Sequence, residues 1–312
     1  MWIIKNKKIF FGLSAFFVVA SIVGFIIFPV RASIEFTGGS SLVVNVEGQR
    51  PESRDVALYL KDLDISSPLV QPVGESGLSI KTSPLDEETK NQIVSHIQEM
   101  SGSPVSIQSF TTVGPSIGEE MLKKSFYALF LVILSIVLYI AYTFRKVTNS
   151  TNKEQKGVSS WKYGFTANIC LLHDVILTSG FYVLLSHFFG AELDTLFVVA
   201  ILTVLGVSVN DTIVVFDRIR ENIFLDEDKK SNDSFEKIVG KSVDETIARS
   251  INTSLTVVIV LLILALFGPE TTKIFSLTMM AGMIIGTFSS IFLASPLLVV
   301  WERLQSKNSI KK

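Results

Sequence analysis

The sequence predicts an all-α membrane bundle of six spanning helices, with one extracytoplasmic α+β domain inserted after the first. Three observations predict it. The 312 residues have a mean hydropathy of +0.47 and include 23 Phe, the composition of a polytopic membrane chain. Six apolar runs reach the about 20 residues that a helix needs to cross a hydrocarbon core. A single polar stretch, residues 31 to about 121, alternates strand and helix patterns.

The first span covers residues 1–30, with its apolar run over 9–30. Val30-Arg31-Ala32 loosely imitates a signal-peptide cleavage site, but the run exceeds an ordinary h-region and Arg31 fits the site badly, so a retained helix is expected. Within residues 31–121 the order is strand "SLVVNVE", helix from Pro51 to about Leu63, strand "PLVQPV", strand "GLSIK", helix from about Asp86 to Met100, and strand "PVSIQSFTTV". Alternating apolar residues mark the strands, and acidic first turns mark the helices. The order βαββαβ is the ferredoxin-like arrangement.

Residues 122–304 then form a five-helix transmembrane domain, with spans near 122–144, 163–186, 195–217, 253–268 and 274–300, followed by a tail at 305–312. Basic residues set the orientation. Lys5, Lys7 and Lys8 precede the first span; Arg145, Lys146, Lys153, Lys156 and Lys162 lie in a loop near 145–162; a charged loop occupies 218–250; Arg303, Lys307, Lys311 and Lys312 follow the last span. The positive-inside rule makes all of these cytoplasmic, both termini included. From the end of the 218–250 loop into the start of the fifth span, "SVDETIARSINTS" (242–254) reads as a short amphipathic surface helix, with Val243, Ile247 and Ile251 four residues apart.

Composition also excludes functions. With 28 Lys+Arg against 29 Asp+Glu there is no basic footprint for nucleic acid. The one cysteine, Cys170, rules out an internal disulfide. His96, His173 and His187 have no metal-ligand spacing, and no G-x-x-x-x-G-K-[ST] loop is present for nucleotide. Neither metal nor cofactor is expected, and no enzyme chemistry. "FTGGSS" (36–41) lacks a lysine and a strand–loop–helix context, so it reads as a turn between the first helix and the domain.

Chemistry-bearing residues stand out where polarity is costly. Asp211 lies six residues before the Asp217–Arg218 pair that ends the fourth span, or ~9 Å inside the membrane. A charge there costs at least a few kcal/mol, so the side chain should face protein or water rather than lipid. Loss of water favours the neutral acid, and an acid that can hold and release a proton is what a proton relay needs. Asp174 in the third span is a second such acid, beside His173. Asn210, Ser208 and Thr212 add groups that could hold water, and Thr203, Gly206 and Asn210 share one face. The relay candidates are therefore Asp211, Asp174 and Asn210. Arg218 and Arg249 are candidate counter-ions, although arginines at helix ends also snorkel to the interface. A purely structural use of Asp211, as an interhelical hydrogen bond, competes with the relay. Gly282 and Gly286 form a GxxxG that permits close helix contact without naming the partner.

Four stretches carry a resemblance to a known family. "FTGGSSLVV" (36–44), "VGPSIGEEMLKKSFYAL" (113–129), "LLHDVILTSGFYVL" (171–184) and "TVLGVSVNDTIVVFDRIREN" (203–222) closely resemble the SecF branch of the SecD/SecF family of protein-export membrane proteins, in the resistance-nodulation-division superfamily. The resemblance covers nearly the whole chain. It implies a bacterial plasma-membrane subunit that works with SecD, supplied as a separate chain, beside the SecYEG translocon and YajC. The substrate would be unfolded preprotein and the energy the proton-motive force. On that resemblance the family's intramembrane "NDT" aspartate falls on Asp211, the "FDR" arginine on Arg218, the "HD" aspartate on Asp174 and the arginine before the fifth helix on Arg249. Glu35 replaces the usual Asp before "FTGG", a conservative change. The competing function is a proton-coupled exporter of small molecules or lipids from the same superfamily; a compact ~90-residue domain leaves little room for the several-hundred-Å³ pocket such cargo needs.

Overall fold

The computed structural model describes residues 2–144, apart from 64, 66 and 67, then 160–229 and 233–310. The basic residues Arg145, Lys146, Lys153, Lys156, Lys311 and Lys312 lie outside them. The chain separates into two units. One comprises Met1–Val30, Ala128–Ala191 and Leu196–Lys312; the other comprises Arg31–Tyr127 and Glu192–Thr195.

The smaller unit follows the α+β order read from the sequence. After the one-turn helix α3 (Ile34–Thr37) come β1 (Gly39–Val46), α4 (Ser53–Asp62), β2 (Leu69–Val73), β3 (Gly77–Thr82), α5 (Glu87–Ser101) and β4 (Val105–Val113). The sheet is antiparallel with order β2-β3-β1-β4, the ferredoxin-like order. Leu42, Val44 and Val46 alternate on β1 and are fully buried, and Leu42 and Val44 pair with Ile80 and Leu78 of β3. The i,i+4 pairs Val56/Leu60 on α4 and Ile93/Ile97 on α5 complete one core with them. Asp86 caps α5 by accepting the Thr89 N–H at 2.8 Å. Hydrogen bonds from Thr89, side chain and then backbone, hold the Asp86 carboxyl below the usual carboxylate range. Its stabilising effect is complete above about pH 4 and is lost only as pH falls through the lowered folded value.

The glycines of "FTGGSS" meet a demand that other residues resist. Gly38 and Gly39 have φ of 76° and 138°, and a Cβ on Gly38 would lie 2.7 Å from the Pro115 Cα. Residues 192–195 also belong to this unit, which a linear reading of the chain does not reveal. Backbone hydrogen bonds join Ser33 N–H to Leu193 O and Leu193 N–H to Arg31 O, both at 2.8 Å. Lys81 Nζ donates to Glu192 Oε2 and the Thr195 N–H to Glu35 Oε2, again at 2.8 Å.

The larger unit is helical. Among the described residues six helices are long and apolar enough to cross a membrane, as expected of a multi-pass membrane protein. The short α1 (Trp2–Lys5) precedes the first of them, α2 (Lys7–Ile27); the other five fall in α6 (Pro115–Phe144), α7 (Ser160–Phe189), α8 (Thr195–Lys229), α9 (Phe235–Phe267) and the run α10 (Glu270–Phe288), a π-helical turn (Ser289–Ala294) and α11 (Ser295–Ile310). The structure corrects the sequence reading between the fourth and fifth spans. The 218–250 stretch expected as a loop is largely helix: α8 extends to Lys229 and α9 begins at Phe235. The short surface helix expected at 242–254 is part of α9, because no Gly or Pro interrupts residues 241–267. Val243 is buried as its spacing predicts, whereas Ile251 is exposed. Charged residues sustain the α8 extension through i,i+3 pairs, Asp217 with Arg220 and Arg218 with Glu221. Phe216, Ile219 and Ile223 bury its other face.

Candidate functional site

Helix α8 carries the polar residues and its neighbours decide their surroundings. Val204, Leu205, Ser208, Val209, Asp211 and Thr212 are all buried, so the inward face of α8 is mixed apolar and polar. Close approach to α10 comes from the GxxxG pair. A Cβ on Gly282 would lie 2.3 Å from Val204 Cγ2, and one on Gly286 3.0 Å from Ser208 Cβ. Small residues here let the two backbones approach.

Asp211 is 6% exposed. Its carboxylate reaches two hydroxyls, Ser254 Oγ of α9 and Thr287 Oγ1 of α10, each at 3.5 Å. That is the outer limit of a hydrogen bond. Both hydroxyls are better engaged elsewhere, 2.5 Å from each other, with Thr287 Oγ1 also donating to Met283 O at 2.9 Å. Asp211 is therefore enclosed by three helices but weakly satisfied by them.

Asp174 contrasts with it. Fully buried on α7, it has three short contacts: His173 Nδ1 at 2.9 Å, Ser208 Oγ of α8 at 2.5 Å and Ser289 Oγ at 2.7 Å. Ser289 opens the π-helical turn, and Ser290 beside it lies 2.9 Å from Thr212 Oγ1. A π-turn widens the helix by one residue and commonly accompanies functional sites; here it brings two adjacent serines to α7 and α8. Asp174 thus ties three elements together. The two acids share no hydrogen-bond partner among the described residues.

The remaining sequence candidates separate. Asn210 is exposed on α8, as are Thr203 and Gly206, which leaves their common polar face uncovered in this chain. Arg218 is held by Glu245 and Glu221, both at 2.6 Å. Arg249 is exposed on α9, just over one helical turn before Ser254 in sequence. The Nε2 atom of His173 is buried and has no hydrogen-bond partner among the described residues.

Sequence reasoning missed Ser254, Thr287, Ser289 and Ser290. A hydroxyl in an apolar run is too common to attract notice, and the π-turn has no sequence signature. One signal was available: Ser242, Thr246, Ser250 and Ser254 recur every four residues along α9 and all four are buried.

Comparison with known proteins gives this arrangement a context. The family described as "Protein export membrane protein SecD/SecF, C-terminal" matches residues 92–152 and 158–304. A protein translocase subunit SecF of Anaerolinea thermophila is 34% identical over 314 residues, covering 99% of this chain and 97% of the relative. One from Thermobaculum terrenum is 36% identical over 312 residues, covering 96% and 93%. Among solved structures, the translocon-associated membrane protein SecDF of Thermus thermophilus superposes with a TM-score of 0.80 at 26% identity over 96% of this chain. A SecDF structure in its super-membrane-facing form gives 0.66, also at 26% identity, over the whole chain. This chain spans 38% and 40% of those two longer chains.

Proposed function

The chain belongs to the SecD/SecF family of protein-export membrane proteins, and from that premise we propose that it couples the proton-motive force to late stages of preprotein export, using Asp211 as the acid that takes up and releases the proton. One observation carries the reading. Asp211 is buried within a span, and among the described residues its carboxylate is held only by two hydrogen bonds at 3.5 Å, so no short bond fixes it in the charged form. Neutralising a charge enclosed by α8, α9 and α10 changes what those helices can pack against, and a packed interface of this kind switches rather than deforms smoothly. Each proton that crosses gains ~2.3 kcal/mol per 100 mV, so a few suffice to bias a conformational step.

In this reading Arg249 is the counter-ion of Asp211. Arg218 braces the ends of α8 and α9 through Glu245, and Asp174 anchors the bundle and the relay beside it. Asn210 lies on the uncovered polar face of α8, which suits a partner helix, because polar side chains in a membrane need protein or water against them. SecD, a separate chain, is that partner; SecYEG, YajC and the unfolded preprotein complete the assembly. The basic residues Lys5, Lys7, Lys8, Lys162 and Arg303 support a reading in which both termini are cytoplasmic, at the bacterial plasma membrane, with the α+β domain outside it. The chain is then a transport component rather than a catalyst.

Membrane vesicles test the function as a whole. At fixed ATP, a proton gradient should speed late preprotein translocation in vesicles carrying this chain with SecD, and should lose that effect in vesicles depleted of it. Equal acceleration in depleted vesicles would contradict the proposal.

A further inference from the structure

We propose that the hydroxyl ladder of α9, Ser242, Thr246, Ser250 and Ser254, together with Asn222 of α8, is a hydrated proton path between Asp211 and the charged end of these two helices. The inference rests on the proton-driven reading above and adds the route by which the proton leaves Asp211 for the cytoplasmic side.

The ladder begins in a polar cluster. Asn222 Nδ2 donates to Ser242 Oγ at 2.9 Å and to Glu245 Oε2 at 2.8 Å, and Glu245 also binds Arg218. It ends at Ser254, whose hydroxyl is 3.5 Å from Asp211 Oδ2. Between them the two helices run antiparallel, and the four hydroxyl residues of α9 are all no more than 6% exposed.

Two atoms on this line point to water. Ser250 Oγ and Asn222 Oδ1 are buried and have no hydrogen-bond partner among the described residues, although Ser250 is 2% and Asn222 4% exposed. Serine in a helix readily donates to the carbonyl four residues back, as Ser242 does to Ile238 and Thr246 to Ser242, yet Ser250 does not. An unpaired buried polar atom costs about 1–3 kcal/mol, and ordered water is the usual remedy.

The spacing fits water as well. Rungs four residues apart are ~6 Å apart along the axis, and a water hydrogen-bonded at ~2.8 Å to each of two hydroxyls spans nearly that distance. Ser242 and Thr246 spend their hydroxyl protons on carbonyls of α9, but their oxygens still accept from water, so the waters between the rungs donate and accept in turn and carry the proton past them. Beyond Ser254 the buried residues of α9, Leu261 and Ala265, are apolar, and the hydroxyl of Thr256 is exposed and donates to Thr253 O, so the buried ladder stops at the acid.

Proteoliposomes containing the chain with SecD test the path by proton flux, alongside aqueous labelling of a thiol placed by Ser250→Cys. Cys170 is buried, so the native chain serves as the blank. Ser250→Ala should leave the amount of folded chain unchanged, because the hydroxyl bonds no protein atom, yet lower flux at least about threefold; Ser250→Thr should restore it to within about twofold. The placed thiol should react with a small charged reagent. An unreactive thiol overturns the ladder, and so does flux in Ser250→Ala within about 1.5-fold of native while Asp211→Asn abolishes it. If Asp211→Asn itself leaves flux unchanged, the proton-driven reading fails and the path fails with it.

Discussion

Asp174→Ala should lower stability by about 3 kcal/mol, seen as a reduced unfolding midpoint of the purified protein in detergent. The side chain is the common partner of His173 Nδ1, Ser208 Oγ and Ser289 Oγ. Alanine leaves these groups buried and facing nothing, at about 1–3 kcal/mol for each that finds no substitute. Ser289 has one, since its hydroxyl is also 3.0 Å from Gly286 O, so two losses rather than three set the magnitude. Asp174→Asn should be milder: the amide keeps one acceptor, and a serine hydroxyl can turn to accept from its NH2 group. A midpoint for Asp174→Ala equal to that of the native protein would remove Asp174 from its anchoring role.

Gly282→Ala should be the second large effect, and larger than Gly286→Ala. Alanine normally favours a helix over glycine by about 1 kcal/mol, but at position 282 the new methyl would meet Val204 Cγ2 at 2.3 Å and Thr178 Cγ2 at 3.2 Å. Valine is stiff at χ1, so α8 and α10 must move apart, at about 1–3 kcal/mol. At Gly286 the nearest atom is Ser208 Cβ at 3.0 Å, which a shift of a few tenths of an ångström relieves. Because Ser208 and Asp211 sit on the displaced helix, Gly282→Ala should also weaken gradient-driven export. Equal stability of the two variants, measured by the same unfolding assay, would mean that α8 and α10 do not depend on this contact.

Much of this architecture is legible in the sequence because strong physical signals specify it. Six long apolar runs declare the spans, and the alternation in "SLVVNVE" and "GLSIK" reveals strands that the structure places at Gly39–Val46 and Gly77–Thr82. Asp211 and Asp174 stand out since a carboxylate in an apolar run has few innocent explanations. The surroundings of those acids are less legible. Whether a serine among leucines faces lipid, bonds its own helix or meets an aspartate depends on packing that no local pattern encodes, and Ser289 reaches Asp174 only through a π-turn. Arg218 illustrates the same limit: the sequence makes it a candidate counter-ion without naming its partner, and Glu245, 27 positions away, holds the guanidinium with Glu221. Residues 192–195 join the α+β unit through backbone hydrogen bonds, which leave no mark in side-chain sequence.

The difference between the two acids carries the account. Asp174 is fixed by three short contacts, whereas Asp211 is enclosed without being fixed. The most direct measurement compares native protein with Asp211→Asn in vesicles at matched SecD levels, following late translocation at fixed ATP with and without a proton gradient. Asparagine preserves shape and most hydrogen bonding but carries no proton. The account predicts normal assembly and an unchanged ATP-driven rate for Asp211→Asn, with the acceleration by the gradient reduced at least about tenfold. Acceleration equal to that of the native protein would contradict it and leave Asp211 a packing residue between helices.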